Sequence, residues 1–184
     1  VLVKSATLKS ISKLIGDDSQ YKDAFSNGTF THSFLNVNDY HRYHFPLSGT
    51  VKEARIIQGI NPPGGQLWWD NEHNRYAFNP SAKTGWQSIE TKGCVILETN
   101  EYGLVALMPI GMGAVSSVNF EENVIPGASV KKGDMLGHFA FGGSDFIMIF
   151  QNGVMFSLDA PMQEDGESYH HILMGEKLGV LSKN

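Results

Sequence analysis

From Cys94 to Leu158 the chain is a succession of short apolar runs separated by turn residues. Cys94–Thr99, Gly103–Ile110, Ala114–Phe120, Val130–Gly137, His138–Phe141, Phe146–Phe150 and Val154–Leu158 fall in turn, with a turn signal roughly every eight to twelve residues. Such a series buries its apolar faces only by stacking or closing sheets. The expected fold is therefore mainly β: a compact sandwich or barrel of short strands, with a short helical segment at the N-terminus (α+β). Upstream, Phe30–Val37 alternates, with Phe30, His32 and Phe34 set against Thr31, Ser33 and Leu35. Gly49–Gly59 is another candidate strand, with Val51 and Ile56-Ile57 as its apolar residues. Residues 4–26 read as helical, because Leu8, Ile11, Leu14 and Ile15 recur at helical spacing and Ser5 or Thr7 suits a cap; a short turn over Ser19–Phe25 is a second element. Gly175–Leu181 is a candidate last strand. The 184 residues form one expected domain, large enough to need no disulfide or structural metal.

Composition removes several classes. A formal net charge of -5 gives no basic surface for tracking nucleic-acid phosphates. The single cysteine, Cys94, excludes a disulfide framework and a multi-cysteine zinc module, and suits a small buried hydrophobe. The longest apolar region, Leu104–Val115, is interrupted by Pro109, Gly111 and Gly113 and does not span a bilayer. The chain opens on Val1-Leu2-Val3-Lys4 without an initiator Met or a signal-peptide core, so a segment is expected upstream. Asn61–Gly93 holds Pro62-Pro63-Gly64-Gly65, Trp68, Trp69 and Trp86 with little periodicity, and is expected to be a long irregular excursion of the lid or binding-loop kind. Its tryptophans either form a satellite core under the loop or wall a binding surface.

Two places carry candidate chemistry. In Asp39-Tyr40-His41-Arg42-Tyr43-His44-Phe45-Pro46, histidines three apart point to opposite faces of a flat strand and converge only if the segment turns. The plain alternative is one surface and one core histidine. As a metal site the pair lacks an obvious third ligand; His73, His138 or Glu98 are available, but no spacing demands them, and no metal is expected. In Phe141-Gly142-Gly143-Ser144-Asp145, two glycines let the chain bend and expose Ser144; the plain alternative is an ordinary tight turn. The segment does not match the serine-hydrolase elbow, which has a further glycine after the serine.

Taken together, and in order, Phe34-Leu35-Asn36-Val37-Asn38-Asp39-Tyr40-His41-Arg42-Tyr43-His44-Phe45-Pro46, Val130-Lys131-Lys132-Gly133-Asp134-Met135-Leu136-Gly137 and Phe141-Gly142-Gly143-Ser144 closely resemble the phosphatidylserine decarboxylase family, from about Val3 to Gly179. The Phe-Gly-Gly-Ser form and the Phe-Leu-Asn-Val lead-in look more like the soluble aromatic-amino-acid (tryptophan) decarboxylases of that family. The resemblance implies a proenzyme that cuts its own Gly143–Ser144 bond into chains 1–143 and 144–184. Ser144 attacks the Gly143 carbonyl, and elimination and hydrolysis leave a covalent pyruvoyl group in its place. That group forms a Schiff base with the substrate amine and draws electrons as carbon dioxide leaves, with no dissociable cofactor. His44 matches the family's self-cleavage base and His41 the residue of the decarboxylation step. Trp68, Trp69, Trp86, Phe141 and Gly142 are the candidate substrate-binding residues.

The expected substrate is a free, aromatic amino acid handled by a soluble cytoplasmic enzyme. The alternative is phosphatidylserine, handled by a membrane-associated one, with the tryptophans dipping into the interface. A homodimer is a further expectation, since exposed strand edges invite pairing. Two departures from the family pattern stand out. In the family a carboxylate well upstream of the histidine motif orients the self-cleavage histidine; by the resemblance its place would fall before Val1, and Asp39 does not match it. Asp145 takes a place where a small hydroxyl residue is commoner; its carboxylate either repels the developing anion or points outward. An inactive member serving as a binding protein, and a lipoyl- or biotinyl-type carrier sharing the Val130–Gly137 turn, are the non-enzymatic alternatives; Lys131 and Lys132 lack a carrier's hairpin context.

Overall fold

The structure, a computed structural model, describes residues 11–59, 65–80, 90–111, 117–140, 144–159 and 171–183. One helix, α1 (Ile11–Ile15), precedes thirteen strands among the described residues. They are β1 (Thr29–Leu35), β2 (Arg42–His44), β3 (Gly49–Ile57), β4 (Gly65–Asp70), β5 (Arg75–Pro80), β6 (Lys92–Thr99), β7 (Gly103–Gly111), β8 (Val118–Phe120), β9 (Ser129–Val130), β10 (Met135–Phe139), β11 (Ser144–Phe150), β12 (Val154–Leu158) and β13 (Gly179–Lys183).

The mainly β expectation is met, as a sandwich with open edges. Six strands form an antiparallel sheet in the order β1-β11-β7-β6-β3-β9. On one face lies the three-stranded sheet β2-β10-β8, and the core between the two holds Tyr43, Phe45, Leu97, Val105, Leu107, Leu136, Phe139 and Phe150. The other face is covered by α1 and the turns after it, which bury Leu14, Ile15 and Phe25 against Cys94, Met108, Ile110, Ile147 and Ile149. The central strands β6 and β7 are buried on both faces, which explains their near-continuous apolar runs. Burial pushes the Cys94 thiol up to about 12, so it packs as an inert hydrophobe.

Two expectations need correction. The helix ends at Ile15, where helical spacing had suggested residues 4–26; residues 4–10 lie outside the described ones. Gly16, at φ 96°, takes the left-handed conformation that stops a helix, and the Arg55 guanidinium donates to the Ile15 carbonyl that this leaves open. Hydrogen-bonded turns then carry the chain on without further helix, and Phe25 joins Leu14 and Ile15 of α1 against the sheet.

The excursion over Asn61–Gly93 also contains regular structure. β4 and β5 pair as a hairpin whose turn is closed by Asp70, which accepts from the Glu72 and His73 amides at 3.1 and 3.3 Å, and by Asn74 at φ 50°. It escaped the alternation test because its described large aromatics, Trp68, Trp69 and Tyr76, stand exposed on both faces. Trp68 and Trp69 are 50% and 43% exposed, so they are not a satellite core. Trp86 lies outside the described residues.

Candidate active site

Ser144 opens β11, between Leu35 of β1 and Gly111 of β7. Alternation points its side chain to the same face as Phe146, toward the small sheet. Phe146 meets Tyr43 at 5.8 Å between ring centroids, Tyr43 meets Phe139 at 4.9 Å, and Phe139 meets His41 at 6.2 Å. Ser144 is fully buried, and its Oγ has no hydrogen-bond partner. The expected exposed bend is thus corrected to a buried strand start, because β1 and β7 close on both sides of residue 144. A buried hydroxyl left unpaired is destabilising by about 1–3 kcal/mol, which marks Ser144 as a group set out for something other than folding. Glycine at 111 leaves no side chain beside it. Residues 141–143, including the candidates Phe141, Gly142 and Gly143, lie outside the described residues.

His41 precedes the extended β2 and His44 ends it, with Tyr43 buried between them and both histidines half-buried, so neither is a core residue. The His41 Nδ1–H donates to the Asp39 carbonyl at 2.7 Å, which puts the basic lone pair on Nε2. The Phe139 amide donates to the His41 carbonyl at 2.9 Å, so His41 stands at the end of β10 that leads toward Ser144. His44 stands opposite Met135, four residues back along β10, a distance of about 13 Å along a strand. Its Nδ1–H donates to the Gly133 carbonyl at 2.9 Å, and the Tyr40 hydroxyl donates to its Nε2 at 3.0 Å. Gly133, at φ 92°, makes the turn that presents this carbonyl. At Gly137 a Cβ would strike the Tyr43 ring, so glycine there lets Tyr43 sit between the sheets. The Tyr43 hydroxyl donates to the Asn119 carbonyl, and burial holds its pKa above the ordinary phenol range.

Asp145 does not point outward. It is fully buried on the helix-side face of the large sheet, where its Oδ2 meets the His32 Nε2. Burial raises its pKa above the ordinary carboxylate range, with His32 opposing the shift. Sequence reasoning passed over His32. The signal was its place between Phe30 and Phe34 on an apolar face, where a polar residue calls for a partner.

Trp69 packs edge-on to Tyr76 at 4.9 Å, and the Asn38 side chain donates to the Tyr76 carbonyl at 3.1 Å. The hairpin is thereby tied to the loop leading into His41. His171 reaches Asp39 of the same loop at 3.0 Å. Among the described residues no group of three or more His, Cys, Asp or Glu stands ready for a metal. No described helix is long and apolar enough to cross a membrane.

A buried serine at the start of a sandwich strand, turned toward a His-X-X-His segment, defines a class of site built around one hydroxyl. The chain belongs to the phosphatidylserine decarboxylase family, whose profile matches residues 1–180. Phosphatidylserine decarboxylase proenzyme 2 of Oryza sativa subsp. japonica is 33% identical over 180 residues, covering 95% of this chain and 26% of the rice protein. The phosphatidylserine decarboxylase proenzyme of Fusobacterium nucleatum subsp. nucleatum is 30% identical over 169 residues, 89% of this chain and 50% of the relative. The L-tryptophan decarboxylase of Psilocybe cubensis is 32% identical over 159 residues, 80% of this chain and 34% of the relative. The chain thus spans between 26% and 50% of the length of these relatives.

Proposed function

We propose that this chain is the catalytic part of a self-processing, pyruvoyl-dependent decarboxylase, cut into 1–143 and 144–184, and that its substrate is an aminophospholipid of the phosphatidylserine type. The observation that carries this is the buried, unpartnered Oγ of Ser144 at the start of β11. In the cut, Oγ bonds to the Gly143 carbonyl carbon as the peptide C–N bond breaks, and the hydroxyl proton passes to the Ser144 nitrogen. Elimination then breaks the Cβ–Oγ bond, leaving the Gly143 carboxylate, and hydrolysis of the resulting enamine releases ammonia.

The residues present fit the group so formed, since residue 144 faces the His41-bearing layer and glycine stands beside it in β7. Once formed, the ketone supplies an electron sink for loss of carbon dioxide. His41, with Nδ1–H held by the Asp39 carbonyl, has Nε2 as the atom that takes up a proton and passes it to the product carbon. We keep His44 as base for the cut; it stands at the far end of β10, opposite Met135, so Tyr40 must release its Nε2 and the Tyr40–His44 segment must shift toward Ser144 before it can act.

The aromatic-amino-acid substrate is the second choice. The fungal tryptophan decarboxylase favours it. Against it, the phosphatidylserine decarboxylases among the relatives weigh the other way, and the described tryptophans stand out in solvent rather than around a pocket. Exposed tryptophan and tyrosine on a hairpin suit a bilayer interface. Intact mass and carbon dioxide release from phosphatidylserine vesicles, tryptophan and tyrosine, compared side by side, test this. Two chains with release from the vesicles are expected. Release from tryptophan alone replaces the lipid by the amino acid, and a single inert chain removes the whole proposal.

A further inference from the structure

The chemistry above makes no use of the pair His32–Asp145. Asp145 is fully buried, and of its carboxyl oxygens only Oδ2 has a partner, the His32 Nε2; Oδ1 has none. A buried carboxyl with one oxygen unmet is a poor choice for the stability of an intact sheet, where an apolar residue would do better. The two residues are diagonal neighbours on one face, since Phe34 pairs with Asp145 and His32 with Ile147. They also belong to different pieces. A cut before Ser144 leaves His32 on the long chain and makes Asp145 the second residue of the short one. Its strand then starts at a free end, and free ends fray. Gly111, beside residue 144, offers no side chain to grip. Asp145 is the first side chain past the cut with a partner on the other piece.

We infer that His32 and Asp145 form a clamp that holds the freed end of β11 in register after the backbone is cut. This assignment rests on the cut at Gly143–Ser144 proposed above. Both are positioning residues, which act on residue 144 through the strand. The clamp grips from behind: Asp145 points to the helix side while residue 144 faces the small sheet, so the clamp occupies none of the space a substrate needs. Burial keeps water from competing for the hydrogen bond, which gives it weight at a strand end.

Amide hydrogen exchange over residues 145–150 tests the clamp, after intact mass has shown whether the wild-type protein is in two pieces. It is measured in the wild type and in Asp145→Ala, each cut and each also carrying Ser144→Ala so that it stays whole. The clamp predicts that Asp145→Ala speeds exchange at the start of β11 on the order of tenfold in the cut protein, and far less in the whole one. Asp145→Asn, which keeps a partner for His32, should restore slow exchange. If alanine unfolds the sheet, Asp145→Val fills the space without a grip and should show the same contrast. Equal acceleration in cut and whole proteins, or none in either, overturns the clamp and leaves the cut standing. So does a folded Asp145→Ala that stays whole, since the pair would then act before the cut. A wild-type protein found as one chain would bring down both.

Discussion

Ser144 and Asp145 are adjacent in the chain, yet they face opposite layers of the sandwich. For Ser144→Ala, a single uncut chain and no carbon dioxide release are expected on a denaturing gel and in a release assay. His44→Ala should give the uncut chain. His41→Ala should give two chains with turnover lowered by roughly 10²–10⁴-fold, the usual range for loss of a proton-transfer group; exchange of the two phenotypes would reverse the roles. Asp145 makes a pH prediction. Its folded pKa stands above its unfolded value, so between the two values the folded state holds more protons. Its contribution is fully present below the unfolded pKa and drains away as pH rises through the folded one. Asp145→Asn should therefore flatten the loss of stability on the alkaline side of the carboxylate range, as read by thermal melts across pH. At this scale spacing left His41, His44 and Ser144 each with a plain alternative, and only the ordered run of motifs singled them out as candidates. The His32–Asp145 contact was not legible, because it depends on the register of two strands separated by more than a hundred positions.

Among the elements, the β4–β5 hairpin shows most clearly what periodicity can and cannot reveal. A strand announces itself when one face is dry, as in Ser144–Phe150, and the hairpin has Trp68, Trp69 and Tyr76 all half exposed. Joint replacement Trp68→Ala with Trp69→Ala should leave the melting temperature nearly unchanged, since little burial is lost. It should weaken sedimentation with phosphatidylserine vesicles while sparing any release from free tryptophan; unchanged vesicle binding would remove the hairpin from the lipid argument. The β2–β8 contact works in the opposite sense. The buried Tyr43 hydroxyl bonds the Asn119 backbone, so Tyr43→Phe should cost about 1–2 kcal/mol in urea unfolding. The N-terminal helix was overextended because helical spacing persists through residues that a left-handed glycine diverts into turns.

For the molecule as a whole, the sheet order decides how the proposed pieces behave. β11 belongs to the short piece and lies between β1 and β7 of the long one, paired over its full length on both sides. After cutting, the two chains should therefore elute together in size-exclusion chromatography and part only in denaturant; separation under native conditions would contradict the topology. The strand-rich architecture was legible from turn spacing and low charge, whereas the sheet order was not, since local pattern does not say which strands meet.

That threading also sets a sequence of events at birth. A long piece synthesised without its companion would have a vacant slot between β1 and β7, lined with unmet amides and carbonyls ready to recruit foreign strands. The proposed cut must therefore wait until the sheet has closed, with the uninterrupted polypeptide as its own assembly jig.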